Sequence, residues 1–192
     1  ATQKEWEETY PLEKDAIDYF LNNAGSPNGV IDGGIAVFAS GNEYAGIPGY
    51  PGGYTKCVTV AAVAADFTPA SYTNYGENVD ICAPGGDTEY HNTPAMDDPE
   101  EWTEINRTKS GSILTWIKNG NATYGYMDGT SMACPHISGV AALGLSYAVK
   151  QRRHFKAPEF IELMKESVKD VDGWYQNVKT KKYYRNHLSP SG

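Results

Sequence analysis

The sequence predicts an α/β domain of layered construction. Three observations lead there: short continuous apolar runs at residues 35–39 (IAVFA), set between glycines, and 57–63 (CVTVAAV), helix-periodic segments on either side of them, and a stretch at 136–149 (HISGVAALGLSYAV) that is apolar or small on nearly every side. Continuous β-branched runs suit strands covered on both faces. Such strands are usually parallel and joined by crossover helices. At 192 residues the chain suffices for one domain with a real core.

Residues 12–24 (LEKDAIDYFLNNA) place Ile17, Phe20 and Leu21 at helical spacing, with Asn22, Asn23 and Gly25 able to end the helix. An amphipathic surface helix is expected. The runs at 35–39 and 57–63 follow as buried strands. Residues 79–82 (VDIC) give a shorter strand, broken by Ala83-Pro84-Gly85. Residues 88–111 turn polar, acidic and aperiodic, the look of a surface excursion inserted into the domain. Residues 112–127 alternate, and Asn119-Gly120 tolerates the positive φ that a two-residue hairpin turn needs. The stretch at 136–149 predicts an enclosed central helix. A second helix over 157–169 carries Pro158 near its start and Phe160, Ile161, Met164 and Val168 at helical spacing. The basic, aromatic remainder, 174–192, reads as a solvated terminal extension. No internal repeat is found.

Composition excludes several function classes. Sixteen Lys+Arg against 24 Asp+Glu give a formal charge of −8, which opposes a sequence-independent grip on phosphate. No stretch reads as the ~18–20 apolar residues of a membrane span, and ATQKEWEETY lacks the basic-then-apolar layout of a signal peptide. Cys57, Cys82 and Cys134 are odd in number and sit among small or apolar residues, so buried free thiols are expected. Their spacing, and that of His136 beside them, does not suit a zinc site.

The chemistry concentrates in YMDGTSMACPHISG. Ser131 follows a Gly-Thr turn at the mouth of the central helix, where unpaired N–H groups and the helix dipole favour a nearby oxyanion. Ser131 is therefore a nucleophile or, alternatively, a plain helix N-cap. Pro135 fits either role if it lies near the first turn. Asn42, directly after the first buried strand, stands at a strand carboxyl end, where open α/β sheets collect ligands. Its amide is either an oxyanion donor or a turn residue. Gly49-Tyr50-Pro51-Gly52 is a tight bend able to hold a cis peptide.

Taken together these segments resemble the subtilisin-like serine proteases, the subtilases. GTSMACPH (129–136) is similar to the family's serine motif, ASGNE (39–43) to its oxyanion-asparagine strand end, and GYPGGYTKCVTVAAV and SYTNYGENVDICAPGG to the two segments that follow. The resemblance covers roughly residues 12–170. It implies a three-layer fold with a mostly parallel sheet, present here as its C-terminal part. It also implies a serine endopeptidase in which Ser131 attacks and Asn42 holds the oxyanion. By the same resemblance Ala39, Ser40 and Gly41 form one wall of the pocket before the scissile bond, Gly49 its floor, and Thr130 joins the substrate-lining set. A bare floor admits bulky or aromatic side chains. Met132 would be sensitive to oxidation if exposed.

The family takes Asp and His from segments preceding its serine, and neither motif occurs here. His91, His136, His154 and His187 all lack the His-Gly-Thr context. Five helical residues turn about 500°, leaving His136 roughly 140° around from Ser131. A serine without an imidazole is a weak nucleophile, so the fragment alone is expected to be inactive. The closing Gly-x-Gly segment is not found after Trp174. No cofactor is required; structural calcium is the one metal the resemblance implies, with Asp80 as the matching carboxylate. Expected partners are a peptide or protein substrate and a missing N-terminal half or second copy, with secretion the family's compartment. The rival reading is a non-catalytic subtilase-like scaffold. An α/β-hydrolase is disfavoured because no Gly-x-Ser-x-Gly elbow occurs.

Overall fold

The computed structural model describes residues 2–25, 29–46, 49–65, 69–87, 112–119, 121–169 and 171. The acidic excursion at 88–111 and the basic tail at 174–192 lie outside them.

Three parallel strands, β2 (Val37–Ala39), β3 (Val58–Val63) and β4 (Ile81–Pro84), form the central sheet in the order β2-β3-β4. The register pairs Val37 with Val58 and Val60 with Ile81. Strand periodicity divides the side chains between two layers. Val37, Val58, Val60 and Ala62 belong to one core with Ala133, Ile137 and Ala141 of helix α3 (Thr130–Lys150). Phe38 and Ala36 belong to another, with Trp6 of α1 (Gln3–Thr9), Ile17 of α2 (Pro11–Asn23), Tyr54 and Cys57. Helix, sheet and helix are the three layers expected. Helix α4 (Ala157–Glu166) adds Phe160 and Met164 to the α3 side. Two-residue strands β1 (Ile31–Asp32) and β7 (Phe155–Lys156) pair in parallel, and β5 (Ile113–Asn119) with β6 (Asn121–Met127) makes an antiparallel hairpin.

Several expectations are corrected. Among the described residues β2–β3 and β3–β4 are connected by turns, not crossover helices. Strand β4 starts two residues late and runs through Ala83-Pro84, because Pro84 closes the described sheet opposite Val63, at its edge, where a missing donor costs no ladder bond. The hairpin pairs Lys118 with Ala122, one residue further than a two-residue Asn119-Gly120 loop allows. Helix α4 stops at Glu166, capped at Ser167, short of residue 169. Helix α1 was not foreseen, although Thr2 and Glu5 form a capping box legible as T-x-x-E.

The largest correction concerns α3. It begins at Thr130 rather than near residue 136, and Pro135 falls inside it. It is not enclosed: Ala133, Ile137, Ala141 and Ala148 are buried, but Val140, Leu143 and Tyr147 are exposed. Only the sheet and α4 cover it within the described residues, so the i, i+4, i+8 face is used and the opposite face is left open. By length and composition alone α3 is apolar enough to cross a membrane, with a mean hydropathy of 1.3, although its apolar residues are interrupted by polar ones. Its alanine face packs against the sheet. No disulfide joins Cys57, Cys82 and Cys134, as expected, but only Cys57 is buried; Cys82 and Cys134 are half-buried.

Candidate active site

The carboxyl ends of β2 and β4 and the amino end of α3 meet at one place. Gly129 is the N-cap of α3, with φ 155° and ψ 156°, a region of backbone space reserved for glycine. Its N–H donates to Gly85 O (2.9 Å), so the Ala-Pro-Gly end of β4 holds the serine turn. Tyr72 hydroxyl lies 2.6 Å from Gly86 O and 2.9 Å from Gly85 O, and burial pushes this phenol well above its usual pKa, keeping it a donor. Met132 N–H donates back to Gly129 O (2.9 Å).

With Gly129 at the cap and no side-chain cap bond, Ser131 is the second residue of α3. The N-cap reading of Ser131 is thereby overturned: its backbone is already helical and its side chain is exposed. As a first-turn residue it has no ladder partner for its own N–H. Pro135, four residues on, offers no N–H to Ser131 O.

Asn42 reaches the same turn from β2. Thr130 N–H (2.9 Å) and Thr130 hydroxyl (2.8 Å) both donate to Asn42 Oδ1. A backbone N–H can only donate, so this bond fixes which end of the carboxamide is oxygen. The Nδ2 donor is turned the other way. It lies 3.6 Å, and Ser131 N 3.7 Å, from the point a Cβ would occupy on Gly129, with Met132 Sδ also 3.6 Å away. Two N–H donors thus border one small space at the start of α3, where Ser131 is exposed, an arrangement suited to an oxygen carrying negative charge. Thr130 is fully buried and accepts from Gly41 N (3.3 Å), tying β2's end to α3.

Ser40 is buried and its carbonyl accepts from Gly49 N (3.2 Å), so the expected wall, Ala39-Ser40-Gly41, adjoins the expected floor. A Cβ on Gly49 would meet nothing within 4 Å. The Tyr50-Pro51 peptide is cis, as the bend allowed. Tyr50 stacks on the buried Trp6 ring at 5.4 Å, so α1 props this bend from behind.

Other candidates fall away from the site. His136 Nδ1 bonds Met132 O (2.8 Å), holding the ring along the helix. His154 lies by β7, against Asp32 and Gly29. His91 and His187 lie outside the described residues. Asp80 does not fit a calcium ion: its oxygens take Thr59 N–H (2.9 Å) and Lys165 Nζ (3.2 Å), an ammonium where a cation would sit. Among the described residues no three His, Cys, Asp or Glu side chains gather as a metal site.

Sequence reasoning missed Asn74. It is 2% exposed and bonds Ser40, Glu43 and Ala45, the backbone around Asn42. The signal was SYTNYG, where an Asn in a glycine-bounded turn invites side-chain to backbone bonding.

Comparisons with known proteins bear on this geometry. The profile described as the subtilase family matches residues 2–181. Halolysin of Haloferax mediterranei is 33% identical over 112 residues, which are 58% of this chain and 17% of that protein. An extracellular protease of Xanthomonas campestris is 32% identical over 123 residues, 63% of this chain and 18% of its own length. Among solved structures, a protease from Pseudoalteromonas arctica is 28% identical with a TM-score of 0.53, covering 71% of this chain and 36% of that one. The chain spans less than a fifth of those two curated relatives. By its profile match across nearly its whole length, the chain belongs to the subtilase family.

Proposed function

We propose that this chain is the serine-bearing part of a subtilisin-like endopeptidase, hydrolysing peptide bonds through an acyl-enzyme on Ser131. The observation that carries the reading is the Asn42 carboxamide, clamped through its oxygen by Thr130, with its nitrogen and the Ser131 N–H both close to the point a Cβ would occupy on Gly129. In this reading Ser131 Oγ attacks the scissile carbonyl carbon. Its proton passes to a His in the part of the protein beyond this chain, an Asp there orients that ring, and the leaving amine receives the proton. Asn42 Nδ2 and Ser131 N–H hold the tetrahedral oxyanion. Ala39, Ser40 and Gly41 line the side chain before the scissile bond, and Gly49 leaves room for a bulky or aromatic one.

The open face of α3 supports a second part of the reading. Val140, Leu143 and Tyr147 form an apolar strip along an exposed helix, and we assign it to the remaining part of the catalytic domain. An extracytoplasmic compartment fits kinship with a protein named as an extracellular protease.

The test is covalent labelling by a fluorophosphonate probe. The isolated chain should label weakly at Ser131. A catalytic domain that joins it to its upstream Asp- and His-bearing segment should label stoichiometrically, and Ser131→Ala should abolish labelling. In that domain Asn42→Ala should lower kcat about 10²–10³-fold, the loss expected when one oxyanion donor is removed. Brisk labelling of the isolated chain would place the base inside it and overturn the division of the triad. An upstream segment without Asp and His would overturn the peptidase reading.

A further inference from the structure

We infer that Asn74 is a positioning residue for the Asn42 amide, acting through the backbone on both sides of it; this deepens the proposed peptidase reading and rests on it. The segment 40–45 leaves β2 without regular structure and carries Asn42 at its exposed turn. One buried side chain holds it. Asn74 Nδ2 donates to Ser40 O (2.9 Å) and to Glu43 Oε2 (2.8 Å). Asn74 Oδ1 accepts from Glu43 N–H (3.1 Å) and Ala45 N–H (2.9 Å). All four bonding positions of the carboxamide are used, and they reach residues before and after Asn42. Its main chain adds two more ties: Asn74 N–H donates to Gly41 O (3.0 Å), and Asn74 O accepts from Ser40 Oγ (3.3 Å).

The segment is fitted to this side chain. Gly41 has φ 106°, and a Cβ there would run into Asn74 Nδ2, with Glu43 Oε2 also 2.5 Å away. Only asparagine meets the demand. Ser40 O and Glu43 Oε2 are both acceptors, so an aspartate at 74 would face them with no donor. Alanine and serine fall short of the Glu43 and Ala45 amides, and glutamine is one methylene too long. Asn42 is thus held from two directions. Thr130 fixes the tip of its side chain, and Asn74 fixes the backbone from which that side chain springs. Since a preorganised donor acts only where the oxyanion forms, slack in segment 40–45 would weaken the donor without removing it.

The test has two arms. In the chain itself, amide hydrogen exchange is followed by NMR for Glu43, Ala45 and Thr130, with Val58 and Val60 of β3 reporting that the sheet is folded. Asn74→Ala should speed exchange at Thr130 about tenfold or more, as well as at Glu43 and Ala45, with β3 still protected. Thr130 N–H bonds Asn42 and not Asn74, so fast exchange at 43 and 45 with Thr130 unmoved overturns the inference. If Asn74→Ala loses β3 protection, Glu43→Ala removes one of the four bonds and is read the same way.

In the joined catalytic domain, Asn74→Ala should lower kcat about tenfold or more with KM within twofold. In an Asn42→Ala background the same substitution should cost less than twofold, because the donor it positions is gone. Equal losses in both backgrounds mean a general structural role and overturn the inference. A joined domain with no peptidase activity overturns the proposed function, while the exchange arm still decides whether Asn74 holds Asn42.

Discussion

Gly85→Ala tests whether the end of β4 supports the serine turn. A Cβ added at Gly85 would lie 2.9 Å from Gly129 O and 3.1 Å from Tyr72 hydroxyl, and closer still to Ala62 Cβ. Ordinary non-bonded separations are about 3.5–4.0 Å between carbons. Neither of the two tightest neighbours can rotate aside: Ala62 Cβ is fixed to the fully buried strand β3, and Gly129 O is main chain. Overpacking of this kind typically costs about 1–3 kcal/mol, and rigid neighbours place this site at the upper end. For 150–250 residues, each 1 kcal/mol lowers Tm by roughly 2–4 °C, so about 3 kcal/mol predicts a fall of roughly 6–12 °C in a thermal melt. The displaced atom is Gly129 O, and Gly129 N–H donates to Gly85 O, so faster amide exchange at Gly129 should accompany the fall. Gly139→Ala is the contrast, since a Cβ there meets nothing within 4 Å on the exposed face of α3. It should raise stability by about 0.5–1 kcal/mol through helix propensity. A Gly85→Ala melt within about 2 °C of wild type would refute the steric argument.

Two charge clusters give predictions of opposite sign with pH. Asp18 is bound by Lys14 (2.7 Å), Lys56 (2.9 Å) and Tyr54 hydroxyl (2.8 Å), and Lys14 above all, with Lys56 and Tyr54, holds its carboxyl well below the usual range. A depressed pKa stabilises above the unfolded value, so Asp18→Asn should cost about 1 kcal/mol at pH 7. The difference should shrink as pH falls below 3.8; a difference that grows there contradicts the assignment. His154 places Nε2 2.9 Å from Asp32 Oδ2 and Nδ1 against Gly29 O. Both partners are acceptors, so this arrangement needs both ring nitrogens protonated, and the Gly29 carbonyl, then Asp32, raises its pKa above 6.5. A raised pKa stabilises below the unfolded value and the effect is lost as pH rises through the folded one. His154→Gln should therefore lower Tm at pH 6 and converge with wild type at pH 9, and a pH-independent gap would argue against the imidazolium.

Local pattern determined much of this protein. Short continuous apolar runs marked β2 and β3 because strands covered on both faces need no polar alternation; β3 is buried throughout, whereas β2 is confined to Val37–Ala39 and only half-buried. The order of the serine and asparagine segments marked the family. What the sequence left undecided depended on partners distant along the chain. Whether Ser131 was a cap turned on where α3 begins, and Gly129 settled it through a backbone conformation closed to other residues. Composition made α3 look enclosed, but burial depends on what is present to cover a helix, and only one of its faces meets the sheet. Asp80 matched the carboxylate that the resemblance implied for calcium, but tertiary packing brings Lys165 of α4 to it. Asn74 carried no motif of its own. Its importance comes from four hydrogen bonds to residues about thirty positions upstream, and a contact set by tertiary packing leaves no periodic trace in the string.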